Sequence, residues 1–255
     1  RKLTHILEPS YDVSCEVAEI SLSAFDRMSS GEPMQHIIGK AHFYGREFKV
    51  SPSVLIPRPE TEVLCCEVIV GLDNSSGLPL RILDMCTGSG CIAWTLALEL
   101  PGADVSAVDI SDDALEVASS QEFAEEMSQT GTSAPHFMKA DVLGEIPSEL
   151  ASSFNVIVSN PPYVMDSEKA LMRSNVLEHE PHLALFVPDD DPLLFYRAVA
   201  RWASKLLISG GFGVVEINEA LGPQTAEVFR NEGFVNVEVV PDLSDRDRFV
   251  RFFRQ

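Results

Sequence analysis

Four consecutive residues, Asn160-Pro161-Pro162-Tyr163, combine groups that can hold a flat amide or amino group. The side-chain oxygen of Asn160 and the backbone carbonyl of Pro161 can accept hydrogen bonds from an NH2 group. The Tyr163 ring offers a face on which a planar group can stack. Two prolines after a strand are also typical of a stiff polar turn. Acceptors fixed in this way would nevertheless orient a nitrogen lone pair for in-line group transfer.

A second candidate site is the glycine-rich run Gly88-Ser89-Gly90-Cys91-Ile92-Ala93, which fits the G-x-G-x-x-G/A pattern between a predicted strand and helix. Asp109 ends the next predicted strand, where a carboxylate can accept hydrogen bonds from ribose hydroxyls. Together they predict an adenosine-containing cofactor. A dinucleotide would place its pyrophosphate at the helix N-terminus, whereas the amino group of S-adenosylmethionine would need a carboxylate such as Asp84.

Further cofactor contacts are predicted at the ends of the strands. Asp141 can lie near an adenine amino group, and Val142 can pack on the ring. Thr87 and Ile110 complete the predicted cofactor-binding set, to which Asn160 also belongs. For Asp84 and Asp141 a helix-capping or turn role is an equally simple interpretation.

The elements that position these residues alternate between apolar strands and helices, which indicates an α/β fold with a doubly wound, mostly parallel seven-stranded sheet. The predicted strands are Arg81–Met85, Val105–Asp109, His136–Asp141, Phe154–Ser159, Gly213–Ile217, Val235–Val240 and Arg248–Phe253. The last two form an antiparallel C-terminal hairpin. The predicted helices are Cys91–Leu100, Asp112–Met127, Leu193–Leu207 and Gln224–Asn231.

Ahead of this domain, which we place at 61–255, the sequence predicts two smaller regions. Residues 1–33 form a small helical region, in which apolar residues recur at helical spacing: Val13, Val17, Ile20, Leu22 and Phe25. So short a segment must pack on something or belong to a larger bundle. Residues 34–60 form an extended hairpin or linker, with Ile37 to Ile56 extended and a helix starting at Glu60 or Thr61. The loop 73–77 leads into the main domain.

Composition restricts the function further. The formal net charge of −20, from 39 acidic and 19 basic residues, argues against stable nucleic-acid binding. Five cysteines without a C-x-x-C pair indicate a reducing intracellular compartment rather than disulfides. We expect a soluble protein, because no apolar run is long enough to cross a bilayer, and we expect no metal site.

The chain resembles the HemK/PrmC family of protein-glutamine methyltransferases, a branch of the Rossmann-like class I methyltransferases. The resemblance runs in order from about residue 31 to the end. Besides the glycine loop and the NPPY motif at 160–163, it is carried by Pro33–Gly39, Phe43-Tyr44-Gly45, Leu55–Glu62, Glu180-Pro181, Ala184-Leu185, Glu216-Ile217 and Asp242–Val250.

This resemblance implies methyl transfer from S-adenosylmethionine to the glutamine of the Gly-Gly-Gln motif in a class I peptide-chain release factor. It implies that Asn160, Pro161 and Tyr163 are catalytic and substrate-binding residues, with Pro162 in the same pocket. The residues implied along the cofactor are Asp84, Gly88, Gly90, Asp109 and Asp141. The residues implied in a lid strand near the substrate are Arg58, Pro59, Glu60 and Thr61. Glu180 and Glu216 are expected to be structural or to support the residues that line the site, rather than to be catalytic.

Two features depart from the family's pattern: Cys86 replaces a usual glycine, and the N-terminal region is shorter than a five-helix bundle. We expect a monomer, in the mitochondrial matrix or, as the alternative, in the bacterial cytoplasm.

Three alternatives remain open. A nucleic-acid methyltransferase acting on adenine or guanine amino groups would share both motifs, but it would need a cationic track for its substrate. A nicotinamide-dependent oxidoreductase would explain the glycine loop and leave residues 160–163 without a role. A non-enzymatic module descended from a methyltransferase would fail to bind the cofactor.

Overall fold

The computed structural model describes residues 14–72, 80–150 and 153–255. The strands are β1 Lys40–Phe43, β2 Arg46–Lys49, β3 Arg81–Met85, β4 Asp104–Asp109, β5 His136–Lys139, β6 Phe154–Ser159, β7 Val164–Met165, β8 Phe186–Val187, β9 Leu207–Glu216, β10 Val235–Pro241 and β11 Asp247–Phe253. The α-helices are α1 Cys15–Ser29, α2 Met34–Ile38, α3 Pro59–Gly71, α4 Cys91–Glu99, α5 Asp112–Ser119, α6 Ala124–Thr130, α7 Ser174–His179, α8 Leu194–Leu206 and α9 Gly222–Asn231.

The central sheet has seven strands in the order β5-β4-β3-β6-β9-β11-β10. The strands from β5 to β9 are parallel, and β11 runs antiparallel between β9 and β10. This confirms the predicted fold class, including the antiparallel C-terminal hairpin. The chain runs outward from β3 to β5 and then returns with β6 to the other side of β3. The carboxyl ends of β3 and β6 therefore meet at the switch point, where ligands of such sheets bind.

Both faces of the sheet are buried, which explains the nearly continuous apolar strands. Along β3, Ile82 belongs to the core cluster that includes α3, α4 and the β1–β2 hairpin, whereas Leu83 and Met85 belong to the opposite cluster with α8 and α9. Strand side chains alternate between faces, so Asp84 points toward the α4 side.

The predicted helix Asp112–Met127 is in fact two helices, α5 and α6. Between them the side chain of Gln121 accepts a hydrogen bond from the Lys49 backbone N–H at 2.8 Å and donates to the Lys49 carbonyl at 3.0 Å. It also donates to the Ser89 carbonyl at 3.1 Å. The chain leaves the helix here because this one amide satisfies backbone groups of both β2 and the glycine loop.

The predicted extended stretch Ile37–Ile56 was wrong at its start. Ile37 lies in α2, which ends at Gly39 with a φ of 72°. The hairpin β1–β2 follows and buries Phe43 and Phe48 completely in the α3–α4 core. Of the predicted hairpin or linker, the hairpin is therefore observed, and it leads into the loop that reaches the sheet edge.

Several other boundaries also shift from those predicted. Strand β4 begins one residue earlier, β5 ends at Lys139 rather than Asp141, β9 begins at Leu207 and ends at Glu216, and α3 begins at Pro59. Proline suits the first helical position, because its missing N–H would have no partner there. The predicted loop 73–77 lies outside the described residues.

Helix α1 confirms the predicted helical spacing from Cys15 onward, and Val13 lies outside the described residues. Ser14 caps the helix by accepting from the Val17 N–H at 3.3 Å. None of its residues is buried, and Leu22 and Phe25 are each 65% exposed. The expected packing partner of this apolar face is absent from the part of the chain that the structure describes.

Candidate functional site

A cavity of about 330 Å³ opens at the carboxyl edge of the sheet, beyond the ends of β3, β4 and β6. A smaller cavity of about 50 Å³ lies beside it. Four residues line both of them: Leu55, Arg58, Asn160 and Ala184. We call the larger cavity the large chamber and the smaller one the small chamber, and these four residues form the junction between them. The glycine loop lines the large chamber, and Pro161 and Tyr163 line the small chamber.

The two glycines predicted to bind the cofactor have different surroundings. Gly88 lines the large cavity with φ +55°, and a Cβ built there would meet no atom within 4 Å. Gly90 does not line the cavity; it precedes α4 with φ +79°, and its Cβ would lie 3.0 Å from the Cβ of Ala118. Gly88 therefore leaves space for a ligand, while Gly90 allows α4 and α5 to pack closely.

Asp109 joins the glycine loop to the end of β4. Its two carboxylate oxygens accept from the Gly88 N–H at 2.9 Å and from the Ser111 N–H at 3.0 Å. Burial raises its pKa, and these backbone donors oppose the rise. The carboxylate lines the large cavity. It is held there by the backbone, with lone pairs left for a ligand hydroxyl.

Asp84 lies beneath the glycine loop rather than in the cavity wall. It is fully buried and accepts a 2.6 Å hydrogen bond from the Thr87 hydroxyl. Burial raises the pKa of Asp84 to about 7, despite this hydrogen bond. Thr87 does line the cavity. Asp84 therefore meets the cavity only through its hydrogen bond to Thr87.

The remaining predicted cofactor residues line the cavity. Ile110 is 43% exposed there, which is unusual for an isoleucine next to a buried strand. Val142 is buried, and Asp141 accepts from the Leu143 N–H at 2.9 Å. An apolar pair with a carboxylate beside it suits the flat ring of adenine and its amino group.

The charges along the large cavity test which adenosine cofactor fits. Among the described lining residues the carboxylates are Asp109, Asp113 and Asp141, and Arg58 supplies the only Lys or Arg cation. This acidic lining favours the cationic sulfonium and amino groups of S-adenosylmethionine over a dianionic pyrophosphate. Across the described residues, no cluster of three or more His, Cys, Asp or Glu is arranged to hold a metal ion.

Asn160 begins a chain of hydrogen bonds behind the junction. Its Nδ2 donates to the Thr61 hydroxyl at 3.2 Å, and the Thr61 hydroxyl donates to Oε2 of Glu216 at 2.8 Å. Oε1 of Glu216 accepts from the Tyr163 hydroxyl at 2.9 Å. Burial raises the pKa of Glu216, and the two hydroxyl donors oppose the rise. The side chains of Asn160 and Tyr163 are thereby held from one carboxylate.

The Asn-Pro-Pro-Tyr turn is also fixed through its backbone. Asn218 donates from Nδ2 to the Tyr163 carbonyl at 3.2 Å, and its own N–H donates to the Tyr196 hydroxyl at 3.0 Å. The Pro161 carbonyl accepts no hydrogen bond from the described chain, so it is available to a ligand. Burial raises the pKa of Tyr163 well above its usual value, so its hydroxyl remains a donor to Glu216.

The predicted lid strand is not a strand. Arg58 lies in the loop before α3, and Pro59 to Thr61 form the first residues of that helix. Glu180 holds this loop: it accepts from the Ile56 N–H at 3.1 Å and from Arg58 at 2.6 Å. Arg58 thus reaches both cavities, as expected for a substrate-side residue. Glu60 is exposed and lines neither cavity, so no described contact places it near the substrate.

Sequence reasoning missed the link from Asn160 through Thr61 to Glu216. Thr61 was expected only as part of the lid or as a helix start, and Glu216 as a structural or supporting residue with no named partner. The one available signal was that Glu216 ends a strand in the same way as the site residues do. Their contact depends on β9 being the neighbour of β6.

Cys86 lines the large cavity and adopts φ +63°, in the left-handed region where side chains are strained. A glycine at this position would adopt this conformation freely. Burial raises the pKa of the Cys86 thiol well above its usual value, which favours the neutral thiol over the nucleophilic thiolate.

Comparisons with known proteins agree with this geometry. Residues 70–183 match the family described as the methyltransferase small domain. The release factor glutamine methyltransferase of Flavobacterium psychrophilum is 42% identical over 88% of this chain and 76% of its own length. That of Bacteroides thetaiotaomicron is also 42% identical, over 93% and 81%. The solved structure of a methyltransferase from Pyrococcus furiosus shares the fold, with a TM-score of 0.54 and 15% identity over 91% of this chain and 98% of its own.

The strand order, the acid-lined cavity at the switch point and the Asn-Pro-Pro-Tyr turn define a methyltransferase of the doubly wound α/β class. At 42% identity over most of the chain, it belongs to the release factor glutamine methyltransferase family.

Proposed function

We propose that this protein transfers a methyl group from S-adenosylmethionine to the side-chain amide nitrogen of the glutamine in the Gly-Gly-Gln motif of a class I peptide-chain release factor, and thereby modulates translation termination. The observation that carries this proposal is the position of Asn160, at the junction of the two chambers with its amide held from behind by Thr61. The names of the relatives support the choice of substrate.

When bound in the large chamber, S-adenosylmethionine supplies an electrophilic methyl group on a positively charged sulfur. Asp109 would accept from ribose hydroxyls, and Ile110 and Val142 would pack on adenine. Thr87 and Gly88 would border the methionine part, with Asp84 fixing Thr87 from below. Asp141 would accept from the adenine amino group.

The substrate amide would enter the small chamber. Its two N–H bonds donate to Oδ1 of Asn160 and to the Pro161 carbonyl, which turns the nitrogen lone pair toward the large chamber. An amide nitrogen is a weak nucleophile because its lone pair is delocalised into the carbonyl, so alignment and stabilisation of the developing positive charge supply the catalysis. S-adenosylmethionine would supply the methyl group: the new N–C bond would form as the C–S bond breaks, and the electron pair of that bond would stay on sulfur. The amide nitrogen then loses a proton to water, so no general base is required.

Tyr163 would complete the wall around the glutamine side chain, and Arg58 would close it from the loop that Glu180 holds. Pro162, expected in the same pocket, lines the large chamber instead. The scarcity of cations around the cavities favours an amide of a protein over a nucleobase, because base-flipping enzymes grip phosphates on both sides of the flipped base. An acidic surface also suits a basic protein partner.

The test incubates the protein with isotope-labelled S-adenosylmethionine and a purified class I release factor, and locates the label by peptide mass spectrometry. We expect a single methyl on the Gly-Gly-Gln glutamine, and none on a release factor in which that glutamine is replaced by glutamate. RNA and DNA are added to parallel reactions. Label in nucleic acid, with none in the release factor, would contradict this proposal in favour of an adenine or guanine amino-methyltransferase.

We further infer a monomer that does not bind nucleic acid stably. Within the described residues, no helix is long and apolar enough to span a membrane. The relatives named above are bacterial, which supports a bacterial cytoplasmic enzyme and gives no support to the mitochondrial location expected from the sequence. Light scattering of the purified protein would test the monomer.

A further inference from the structure

The carboxylate of Glu216 lies directly behind the acceptor that would bind the substrate. Glu216 ends β9 and Asn160 follows β6, and the two strands are parallel neighbours with Ser159 paired to Val215. The next residue of each strand therefore lies at the same edge of the sheet. Glu216 is 1% exposed, and its only described hydrogen-bond donors are the hydroxyls of Thr61 and Tyr163. A buried carboxylate persists only where it makes such bonds.

The direction of each hydrogen bond follows from the chemistry of the groups. Oε2 of Glu216 accepts from the Thr61 hydroxyl, so the single proton of that hydroxyl points at Glu216. The Thr61 oxygen can then only accept from Asn160, which forces the NH2 end of that amide toward Thr61. The two ends of an asparagine amide are usually hard to tell apart, but here the chain of bonds decides between them.

The consequence reaches the reaction itself. With its NH2 group bound to Thr61, Asn160 presents its carbonyl oxygen, an acceptor, to the junction of the chambers. If the amide were reversed, an NH2 group would face the NH2 of the substrate, and two donors cannot form a hydrogen bond. The correct orientation of the substrate nitrogen therefore requires an acceptor at the far end of this chain.

We propose that Glu216 is a positioning residue for methyl transfer, which acts through Thr61 to keep the carbonyl oxygen of Asn160 facing the substrate amide. This inference rests on the proposed function for its kinetic readout. Glu216 itself lines neither chamber, and it reaches them only through the hydroxyls of Thr61 and Tyr163. Its role is to fix the direction of the hydrogen bonds that run from Asn160 through Thr61 to Glu216, which we call the relay. Glu216 makes no contact with substrate or cofactor.

Three substitutions test the relay. Glu216→Gln keeps the shape but adds an NH2 group, which can donate to Thr61 and so let Thr61 donate to the Asn160 oxygen. Thr61→Val keeps the shape and removes the relay, whereas Thr61→Ser keeps the hydroxyl. We expect Glu216→Gln and Thr61→Val to lower kcat by roughly 10- to 100-fold, the usual cost of misaligned reacting groups. We expect Thr61→Ser to restore most of the activity, with cofactor affinity nearly unchanged in all three.

Thr225→Val is the matched control. Thr225 is also fully buried, on α9, and its hydroxyl has no partner among the described residues. Removing an unpaired buried hydroxyl costs little stability, so this variant should keep the wild-type kcat. A loss of kcat in Thr225→Val equal to that in Thr61→Val would mean that buried Thr→Val changes act through general stability, and would overturn the relay.

A double-mutant cycle separates the two partners of Glu216. In a Thr61→Val background, Glu216→Gln should have no further effect on kcat, because the relay is already cut. In a Tyr163→Phe background, the same change should retain its effect. Independent, multiplying effects of Glu216→Gln and Thr61→Val would overturn the proposal.

A measurement without substrate keeps the two proposals apart. The side-chain 15N amide resonance of Asn160, assigned by its loss in Asn160→Asp, should shift in Glu216→Gln and Thr61→Val and stay in place in Thr225→Val. If the wild-type protein does not methylate glutamine, the proposed function fails and this spectrum still tests the relay. An Asn160 resonance that is unchanged in Glu216→Gln and Thr61→Val would overturn the relay, whatever the activity.

Discussion

The two chambers of the site are built from contacts of very different range. On the side of the large chamber, which we call the cofactor side, Asp84 accepts a hydrogen bond from a residue 3 positions away in sequence. Asp109 accepts from residues 21 and 2 positions away. On the side of the small chamber, which we call the acceptor side, the contacts are much longer in sequence. The hydrogen bonds from Asn160 to Thr61, from Thr61 to Glu216 and from Tyr163 to Glu216 span 99, 155 and 53 positions.

This difference has a physical basis. A strand–loop–helix unit carries its own backbone donors, so a short segment is enough to hold a carboxylate at the mouth of the cavity. The acceptor side has to fix one side-chain amide in one of two orientations. Only partners on other elements can do that, and the sheet order brings them together.

The largest expected effect is that of Asn160→Ala, which removes the side-chain oxygen that would accept from the substrate amide. We expect kcat to fall by roughly 100- to 1000-fold, the typical cost of one pre-oriented group that stabilises developing charge. Cofactor affinity, measured by calorimetry, should stay nearly intact, because the cofactor side is held separately. Asn155→Ala, at the amino end of the same strand, removes only an acceptor for the Arg81 N–H and should leave kcat unchanged. Equal losses of kcat and cofactor affinity in Asn160→Ala would refute its assigned role.

The converse change is Asp109→Asn. It replaces one acceptor oxygen with an NH2 group that faces backbone N–H donors. Lost hydrogen bonds to a charged group are each worth about 1.5–3 kcal/mol, so we expect cofactor affinity to fall by roughly 10- to 100-fold. At saturating cofactor, kcat should change little. Asp104→Asn, at the exposed start of β4, is the control for a change of charge on the same strand. A fall in saturated kcat larger than the fall in affinity would show that the two sides are not separable.

The range of the contacts also explains what the sequence could predict. The sheet, the hairpin and the glycine loop follow from local patterns of apolar residues and glycines, and the structure confirms them. The break between α5 and α6 could not be foreseen, because Gln121 bonds to β2 and to the glycine loop, far away in sequence. Thr61 and Glu216 were missed as partners of Asn160 for the same reason. A periodic pattern identifies the face of an element but not the particular side chain that it meets.

A third test separates the two glycines of the loop. Both have positive φ, so alanine strains each of them. At Gly90 the added methyl also meets Ala118 at 3.0 Å, and overpacking of this kind costs about 1 kcal/mol or more. We therefore expect Gly90→Ala to lower the free energy of unfolding more than Gly88→Ala, in urea titrations without cofactor. Gly88→Ala should instead weaken cofactor binding, because its methyl projects into open space at the cavity. The opposite ranking in either measurement would contradict the division of roles.

The smallest expected effect concerns Cys86, the side chain at φ +63° in the cofactor loop. Cys86→Ala and Cys86→Gly both remove the thiol, but only glycine relieves the left-handed strain of about 1–2 kcal/mol. Glycine also gains entropy in the unfolded chain, which offsets roughly 0.5–1 kcal/mol of that relief. The glycine variant should therefore be more stable than the alanine variant by about 0.5–1 kcal/mol in urea titrations. An alanine variant at least as stable as the glycine variant would mean that the loop relaxes without strain. The left-handed conformation of Cys86 would then not lower the free energy of unfolding.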